Sequence, residues 1–182
     1  MKNNQQLYSL DVTTENSNPL IRWFFKWKFN KAVRMLEATE DDIILDFGCG
    51  EKYLQKHYEN LYVLNYDKNP KVSDMYEEDY IGSYTTKVFA FDVLEHLSND
   101  EIHKTLNNFK RMNPNYEMIV VTSYETWVWR LLRKMLGLPN LDKEHLSTRD
   151  EIISICKEHD LEIIEQSNFL WLSYIYKLKS YT

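Results

Sequence analysis

The sequence predicts one doubly wound α/β domain, a mostly parallel sheet between two helical layers with an antiparallel carboxyl-terminal edge. Three observations predict it. Short apolar runs alternate with helix-like segments, a Gly-Cys-Gly turn follows directly on the first run, and two strand-like segments adjoin each other at the end. A length of 182 residues suits a single domain. Within a domain spanning 1–182, residues 1–18 read as a polar lead-in, 19–37 as a basic amphipathic helix and 124–146 as a lid-like insertion.

Asn18 can cap the first helix at Pro19, because asparagine accepts an orphan N–H and proline has none to lose there. At 100° per residue, Ile21, Phe24, Phe25, Phe29, Ala32, Met35 and Leu36 form one face, and Arg22, Lys26, Lys31 and Arg34 lie opposite. Lys28 adds a fifth base, no acid occurs from Pro19 to Leu36, and Trp23 and Trp27 fall in the charged arc. Ile43–Phe47 reads as a buried strand entering a turn at Gly48. Tyr53–Tyr58 is a short helix and Leu61–Tyr66 a second strand, with Asp67 at its end and Asn69-Pro70 as a break. Residues 71–86 carry no clear period and read mostly as loop. Val88–Phe91 is a strand. Ser98 with Glu101 forms a capping box for a helix to about Met112, before Pro114. Met118–Thr122 is a strand, and residues 125–136 read as a helix stopped by Gly137 and Pro139. Ser147 with Asp150 signals a helix to about His159. Leu161–Glu165 and Leu170–Lys177 complete the sheet.

A net charge of −6 opposes a general attraction to nucleic-acid phosphate. Cys49 and Cys156 are the two cysteines, with no Cys/His spacing of a zinc site, so a reducing compartment and no metal are expected. Residues 1–18 lack the apolar core of a secretory signal, and no apolar run approaches the ~20 residues that span a bilayer. The expected location is cytoplasmic, with peripheral contact at the inner membrane face.

The run Asp46-Phe47-Gly48-Cys49-Gly50 joins a buried strand to a helix, where glycines let backbone approach a ligand and the helix offers free N–H groups. Asp67 closes the second strand, the place from which a carboxylate accepts ribose hydroxyl protons in doubly wound folds. By themselves these features serve a nucleotide-like ligand, a dinucleotide or a plain tight turn. Phe91-Asp92-Val93-Leu94-Glu95-His96-Leu97 follows the strand Val88–Phe91, at the sheet end where open α/β folds place ligands.

Together these motifs resemble the class I S-adenosylmethionine-dependent methyltransferases, especially the subgroup with Asp-Phe/Ile/Leu-Gly-Cys-Gly and Val-Leu-Glu-His-Leu motifs. Glu144-His145-Leu146-Ser147, before a helix starting near Thr148, matches a later pattern of the same subgroup. The resemblance implies a Rossmann-like methyltransferase fold, S-adenosylmethionine as cofactor, and in-line transfer of its methyl group to an oxygen, nitrogen or carbon nucleophile. It implies that Gly48 and Gly50 lie against the methionine part with small Cys49 between them, and that Asp46 holds the turn or the amino group. Asp67 would take the ribose hydroxyls with Lys68 beside it, Asp74-Met75 would meet adenine with Asp79-Tyr80 as a rival, and Asp92 would complete the cofactor set.

Two departures stand out. Lys52 occupies a position where the family usually carries a third glycine, and the short span after Asp67 implies that the usual next helix is lost or reduced to a turn. His96 and His145 are the candidate catalytic residues. Glu95-His96 reads either as an acid-base pair or as pocket wall, and His145 either as an acceptor-site residue or as a local hydrogen-bonding one. His57, His103 and His159 fall on helical, solvated positions. The segment Tyr124–His145, with Trp127, Trp129, Leu131, Leu132, Met135 and Leu138, would roof the acceptor site, implying an apolar acceptor.

A lipid or lipid-linked acceptor reached at a membrane surface is one reading of the Trp-Lys-Arg mixture on residues 19–37, repeated by Arg130, Arg133 and Lys134. A helix that caps the domain or forms a homodimer contact is the other. Two rival functions remain. An NAD-dependent oxidoreductase is disfavoured because the dinucleotide fingerprint wants glycine where Tyr53 stands, and because there is no room for a separate substrate domain. A non-catalytic S-adenosylmethionine-binding module of the same fold is kept open by the chain's four glycines and Lys52.

Overall fold

The computed structural model describes residues 18–75, 84–123, 145–169 and 172–181. Its elements are α1 (Pro19–Leu36), β1 (Ile43–Phe47), α2 (Tyr53–His57), β2 (Tyr62–Tyr66), β3 (Lys87–Phe91), a 3-10 turn (Leu94–His96), α3 (Asn99–Met112), β4 (Glu117–Ser123), α4 (Arg149–Glu158), β5 (Leu161–Phe169) and β6 (Ser173–Ser180). The strands form one six-stranded sheet of order β2-β1-β3-β4-β6-β5. β1 pairs in parallel with β2 and β3, and β3 with β4, while β6 runs antiparallel to both β4 and β5. The doubly wound class is therefore as expected. The antiparallel carboxyl-terminal edge is as expected too: β6 folds back beside β5 and inserts next to β4, leaving β5 outermost.

Alternation along the strands builds the three layers, since successive side chains point to opposite faces. Ile44, Val63, Phe89, Phe91, Ile119 and Val121 pack with α1 and α2. Leu45, Phe47, Val88, Ala90, Met118 and Val120 pack with α3 and α4 on the other face. β3 is buried along its whole length, as a central parallel strand covered on both sides must be.

The helix starts follow local chemistry. Asn18 accepts a hydrogen bond from the Leu20 N–H at 3.0 Å, with Pro19 in the first turn, and Ser98 and Glu101 form the expected capping box. The cap of α4 differs from expectation: it is Thr148 with Glu151, not Ser147 with Asp150. Both frames place a hydroxyl three residues before an acid, but the longer glutamate reaches back to the cap N–H, at 2.8 Å. Ser147 is buried and donates instead to the Leu97 carbonyl at 2.6 Å. Thr148→Ala is expected to cost about 1 kcal/mol in urea denaturation.

The closing strands also differ from expectation, running to Phe169 and from Ser173. Their outer strand is polar, through Glu162, Glu165, Gln166, Ser167 and Asn168, and that composition hides an edge strand in the sequence. Between β2 and β3 the described residues carry turns and no helix. The expected lead-in through Ser17, the expected helix and roof over 124–144, and the rival pair Asp79-Tyr80 lie outside the described residues. No helix among the described residues is long and apolar enough to cross a membrane.

Candidate functional site

The carboxyl ends of β1, β2 and β3 meet around the glycine turn. Gly48 has φ +78°, and a Cβ there would collide with Val93 Cγ2 and lie 2.8 Å from Val93 Cβ. Glycine is thus required both by the backbone and by the neighbouring 3-10 turn. The N–H groups of Gly48 and Cys49 both donate to the Tyr66 carbonyl, at 2.8 and 3.0 Å, tying the turn to the end of β2. Gly50, at φ +50°, differs: a Cβ there would meet nothing within 4 Å. Its backbone borders open space, and its N–H donates to Asp67 Oδ2 at 3.1 Å. The other Asp67 oxygen accepts from the Asn69 N–H at 2.8 Å, and the Asp67 N–H donates to Ser73 Oγ at 3.2 Å.

Lys52 adopts φ 57°, so the position where the resemblance expects glycine does take left-handed backbone. A lysine there bears a steric cost of roughly 1–2 kcal/mol, and its ammonium forms an ion pair with Asp74. That contact, and a 2.7 Å hydrogen bond from Asn65 Nδ2 to the other Asp74 oxygen, draw the segment after β2 toward the turn. The Lys52 ammonium holds the Asp74 carboxyl below its ordinary range. Met75 packs against the core on the α3 side. Lys68 reaches Glu101 at the start of α3, at 2.8 Å.

A cleft of about 140 Å³ opens between Gly48, Tyr66, Asp67, Val93, His96 and Leu97. A larger hollow of about 540 Å³, beside Lys157, Leu161 and Tyr181, lies at the opposite end of the sheet, away from the glycine turn. We take the smaller cleft as the site because it holds the strand carboxyl ends. Asp46, next to Phe47 at the end of β1, is 4% exposed, with its carboxyl pushed up to about 7, first by burial and then by the charge of Asp67. The folded state therefore binds a proton that the unfolded chain releases near pH 4. This contribution to stability is complete below about pH 4 and is lost as the pH rises through about 7. Asp46→Asn should flatten that decline and be more stable than the parent near pH 8, by on the order of a few kcal/mol; denaturation across pH 4–8 measures it. Cys49 is buried and burial raises its thiol further, so it offers no thiolate.

On the other wall, Asp92 takes φ 49° and its N–H donates to the Val121 carbonyl at 3.0 Å, which fixes the turn after β3. From α1 the Lys28 ammonium forms an ion pair with Asp92 Oδ2, while lying 4.9 and 5.0 Å from the ring centroids of Phe91 and Phe25. Asp92 Oδ1 and Glu95 Oε2 are buried and have no hydrogen-bond partner among the described residues. Burial raises the Glu95 carboxyl, and the charge of Asp92 raises it further. The Glu95 carbonyl accepts from the N–H of Leu146 and Ser147 at 2.7 and 3.3 Å. That link brings His145 to His96, the two rings meeting edge-on with centroids 5.0 Å apart.

The two candidate histidines thus come together at the cleft rim. His103 and His159 share a hydrogen bond at 2.9 Å on the α3–α4 side, and His57 stacks on Tyr53. Among the described residues, no cluster could hold a metal ion. Sequence reasoning missed Lys28 as a site residue. Its signal was spacing: Lys28 falls four residues after Phe24 and four before Ala32, on the apolar stripe of α1.

No family model matches the sequence, and no characterised protein matches it in sequence. Solved structures match the fold. Magnesium protoporphyrin IX methyltransferase from Synechocystis PCC 6803, crystallised with bound S-adenosylhomocysteine, superposes with TM-score 0.65 over 90% of this chain and 88% of its own, at 16% identity. A cyclopropane synthase from Mycobacterium tuberculosis gives TM-score 0.65 at 11% identity, over 92% of this chain and 88% of that one. An S-adenosylmethionine-dependent methyltransferase from Archaeoglobus fulgidus gives 0.63 at 12% identity, over 87% and 94%. At these identities the likeness establishes that the chain has the fold of such enzymes.

Proposed function

We propose that the chain is a methyltransferase that holds S-adenosylmethionine in the cleft between the glycine turn and the Asp92–Leu97 turn. The observation that carries this reading is the contrast within the turn. Gly48 is glycine because protein fills the space beside it, whereas Gly50 leaves open space next to a backbone N–H and the Asp67 carboxylate. The binding of S-adenosylhomocysteine by a neighbour of the same fold supports it. The residues fit the cofactor: an acidic group for ribose hydroxyls at Asp67, exposed glycine backbone for the methionine part, and apolar walls at Tyr66, Val93 and Leu97. When bound, the cofactor would supply an electrophilic methyl group carried on a sulfonium.

The work of the chain's own residues is then mostly placement, which lowers a displacement barrier by fixing the reactants in near-attack geometry. In this reading Asp67 fixes the cofactor, Asp74 and Met75 border the adenine end with Lys52 holding Asp74, and Asp46 braces the turn or pairs with the amino group. Asp92 Oδ1 has no donor among the described residues, and Glu95, its carboxyl pushed up to about 8 by burial and by the charge of Asp92, holds a proton near neutral pH and can donate or accept. They suit an acceptor molecule that brings an O–H or N–H, and His96 with His145 at the rim would take a proton where one is released.

Calorimetry with S-adenosylhomocysteine and with NAD tests the assignment. The adenosyl ligand should bind and NAD should not, and Asp67→Ala should weaken binding by about 1.5–3 kcal/mol for each charge-assisted hydrogen bond lost. The absence of adenosyl-ligand heat, or tight NAD binding, overturns the reading. Methyl-labelled S-adenosylmethionine offered with lipid, RNA, protein and metabolite fractions then identifies the acceptor; binding without transfer to any fraction would make the chain a binding module.

A further inference from the structure

α1 runs antiparallel to the parallel strands and overshoots them. Lys87 Nζ, at the start of β3, donates to the Leu36 carbonyl at 3.0 Å, while Lys28 pairs with Asp92 just beyond the end of that strand. From Lys28 back to Pro19 the helix continues for nine residues, which at about 1.5 Å each carry it roughly 13 Å past the strand ends. The inner side of this overhang is held by buried Ile21 and by Phe24 and Phe25 against Leu172. The outer side exposes Leu20 (68%) and Trp23 (56%), with Arg22 and Lys26 exposed beside them.

The charge on this helix is one-signed, with five bases and no acid in a chain of net charge −6. Lys28 is neutralised by Asp92, and Lys31 lies 3.7 Å from Glu165. Arg22, Lys26 and Arg34 make no ion pair among the described residues. Arg22 even sits in the first turn, where the helix dipole disfavours a cation. Folding therefore gains nothing evident from Arg22 and Lys26, the bases of the overhang, whereas an anionic surface would attract both; Arg34 lies in the last turn, where the helix dipole favours it. Exposed tryptophan and leucine beside arginine and lysine are the side chains that seat a helix in a headgroup layer.

We propose that the overhanging end of α1 docks on an anionic lipid bilayer and so sets the cleft at the strand ends against the membrane. The inference stands apart from the methyl-transfer reading; where both hold, the acceptor is a lipid or a lipid-linked molecule delivered at that surface.

Co-sedimentation of the full chain with phosphatidylglycerol/phosphatidylcholine vesicles, and with phosphatidylcholine alone, tests it. The chain should bind the mixed vesicles, release at high salt and leave the neutral ones. Each basic residue near such a surface is worth roughly fivefold, so Arg22→Glu with Lys26→Glu should lower partitioning by about 25-fold or more. Trp23→Ala should lower it several-fold. Melting temperature and heat of S-adenosylhomocysteine binding should stay at parental values in these variants, which separates docking from folding. Equal partitioning onto both vesicle types, or none onto either, overturns the inference. So does a concentration-dependent dimer that Trp23→Ala breaks while vesicle binding persists, because the surface then belongs to a second copy. Loss of vesicle binding with the adenosyl heat intact removes this inference alone; the reverse result removes the proposed function alone.

Discussion

Lys28→Met is expected to lower stability by about 3 kcal/mol, the lower end of what breaking a buried ion pair costs. The lysine is 1% exposed, and removing its charge leaves Asp92 facing Phe91 and the buried Glu95 with one cation fewer. The lower end applies because a quarter of the Asp92 side chain still meets solvent. A second substitution, Asp92→Asn, should restore much of the loss in the double variant, since asparagine tolerates the left-handed backbone at that position and carries no charge to strand. Urea denaturation of the parent, the two single variants and the double variant gives the coupling. Additive losses would mean that the pair is not the reason for the helix's position. The same pair joins α1 to the turn that carries Glu95 and His96, so the cleft wall should loosen with it.

Gly48→Ala and Gly50→Ala should part company, though the substitutions are chemically identical. At Gly48 the methyl group meets the Val93 side chain and the backbone is left-handed, so steric strain and overpacking add to roughly 2–4 kcal/mol. Val93→Ala should recover part of that loss and leave the backbone part in place. At Gly50 only the left-handed backbone opposes alanine, at about 1 kcal/mol, since no atom lies within 4 Å. Its methyl group would enter the space assigned to the cofactor, so affinity for S-adenosylhomocysteine should fall while the fold survives. Thermal melts and calorimetry on both variants read the two effects separately. Parental affinity in Gly50→Ala would move the ligand off the turn.

Much of this was legible in the residues themselves. The apolar runs at 43–47, 61–66, 88–91 and 118–122 announce strands that the structure places at 43–47, 62–66, 87–91 and 117–123, and Ser98 with Glu101 announces its helix because the two side chains close on each other's N–H groups. The glycines at 48 and 50, and Asp67 at the end of β2, are positional signals of the same kind, read from their places at the strand ends, although the contacts of Gly48 with Val93 and of Asp67 with Gly50 appear only in the fold. The pairing of His96 with His145 was named as two separate candidates and brought together only by the backbone link through Glu95.

What the residues by themselves determined is therefore local: the period of each element, its caps, and the positions where backbone must turn left-handed or approach a ligand. Tertiary structure decided the choices between partners far apart in sequence. Thr148 is the cap because Ser147 is engaged by Leu97, 50 residues away. Lys28, set on the apolar stripe of α1 by its spacing, finds the carboxylate that pairs its charge only in Asp92, 64 residues on. β6 lies inside β5 because pairing with β4 buries Ile175 and Leu178 on opposite faces, whereas the polar β5 tolerates the edge. A sequence pattern reports which surfaces must be covered, but burial free energy is nearly indifferent to what covers them. The partner is selected by hydrogen bonds and charge pairs that exist only once the chain has folded.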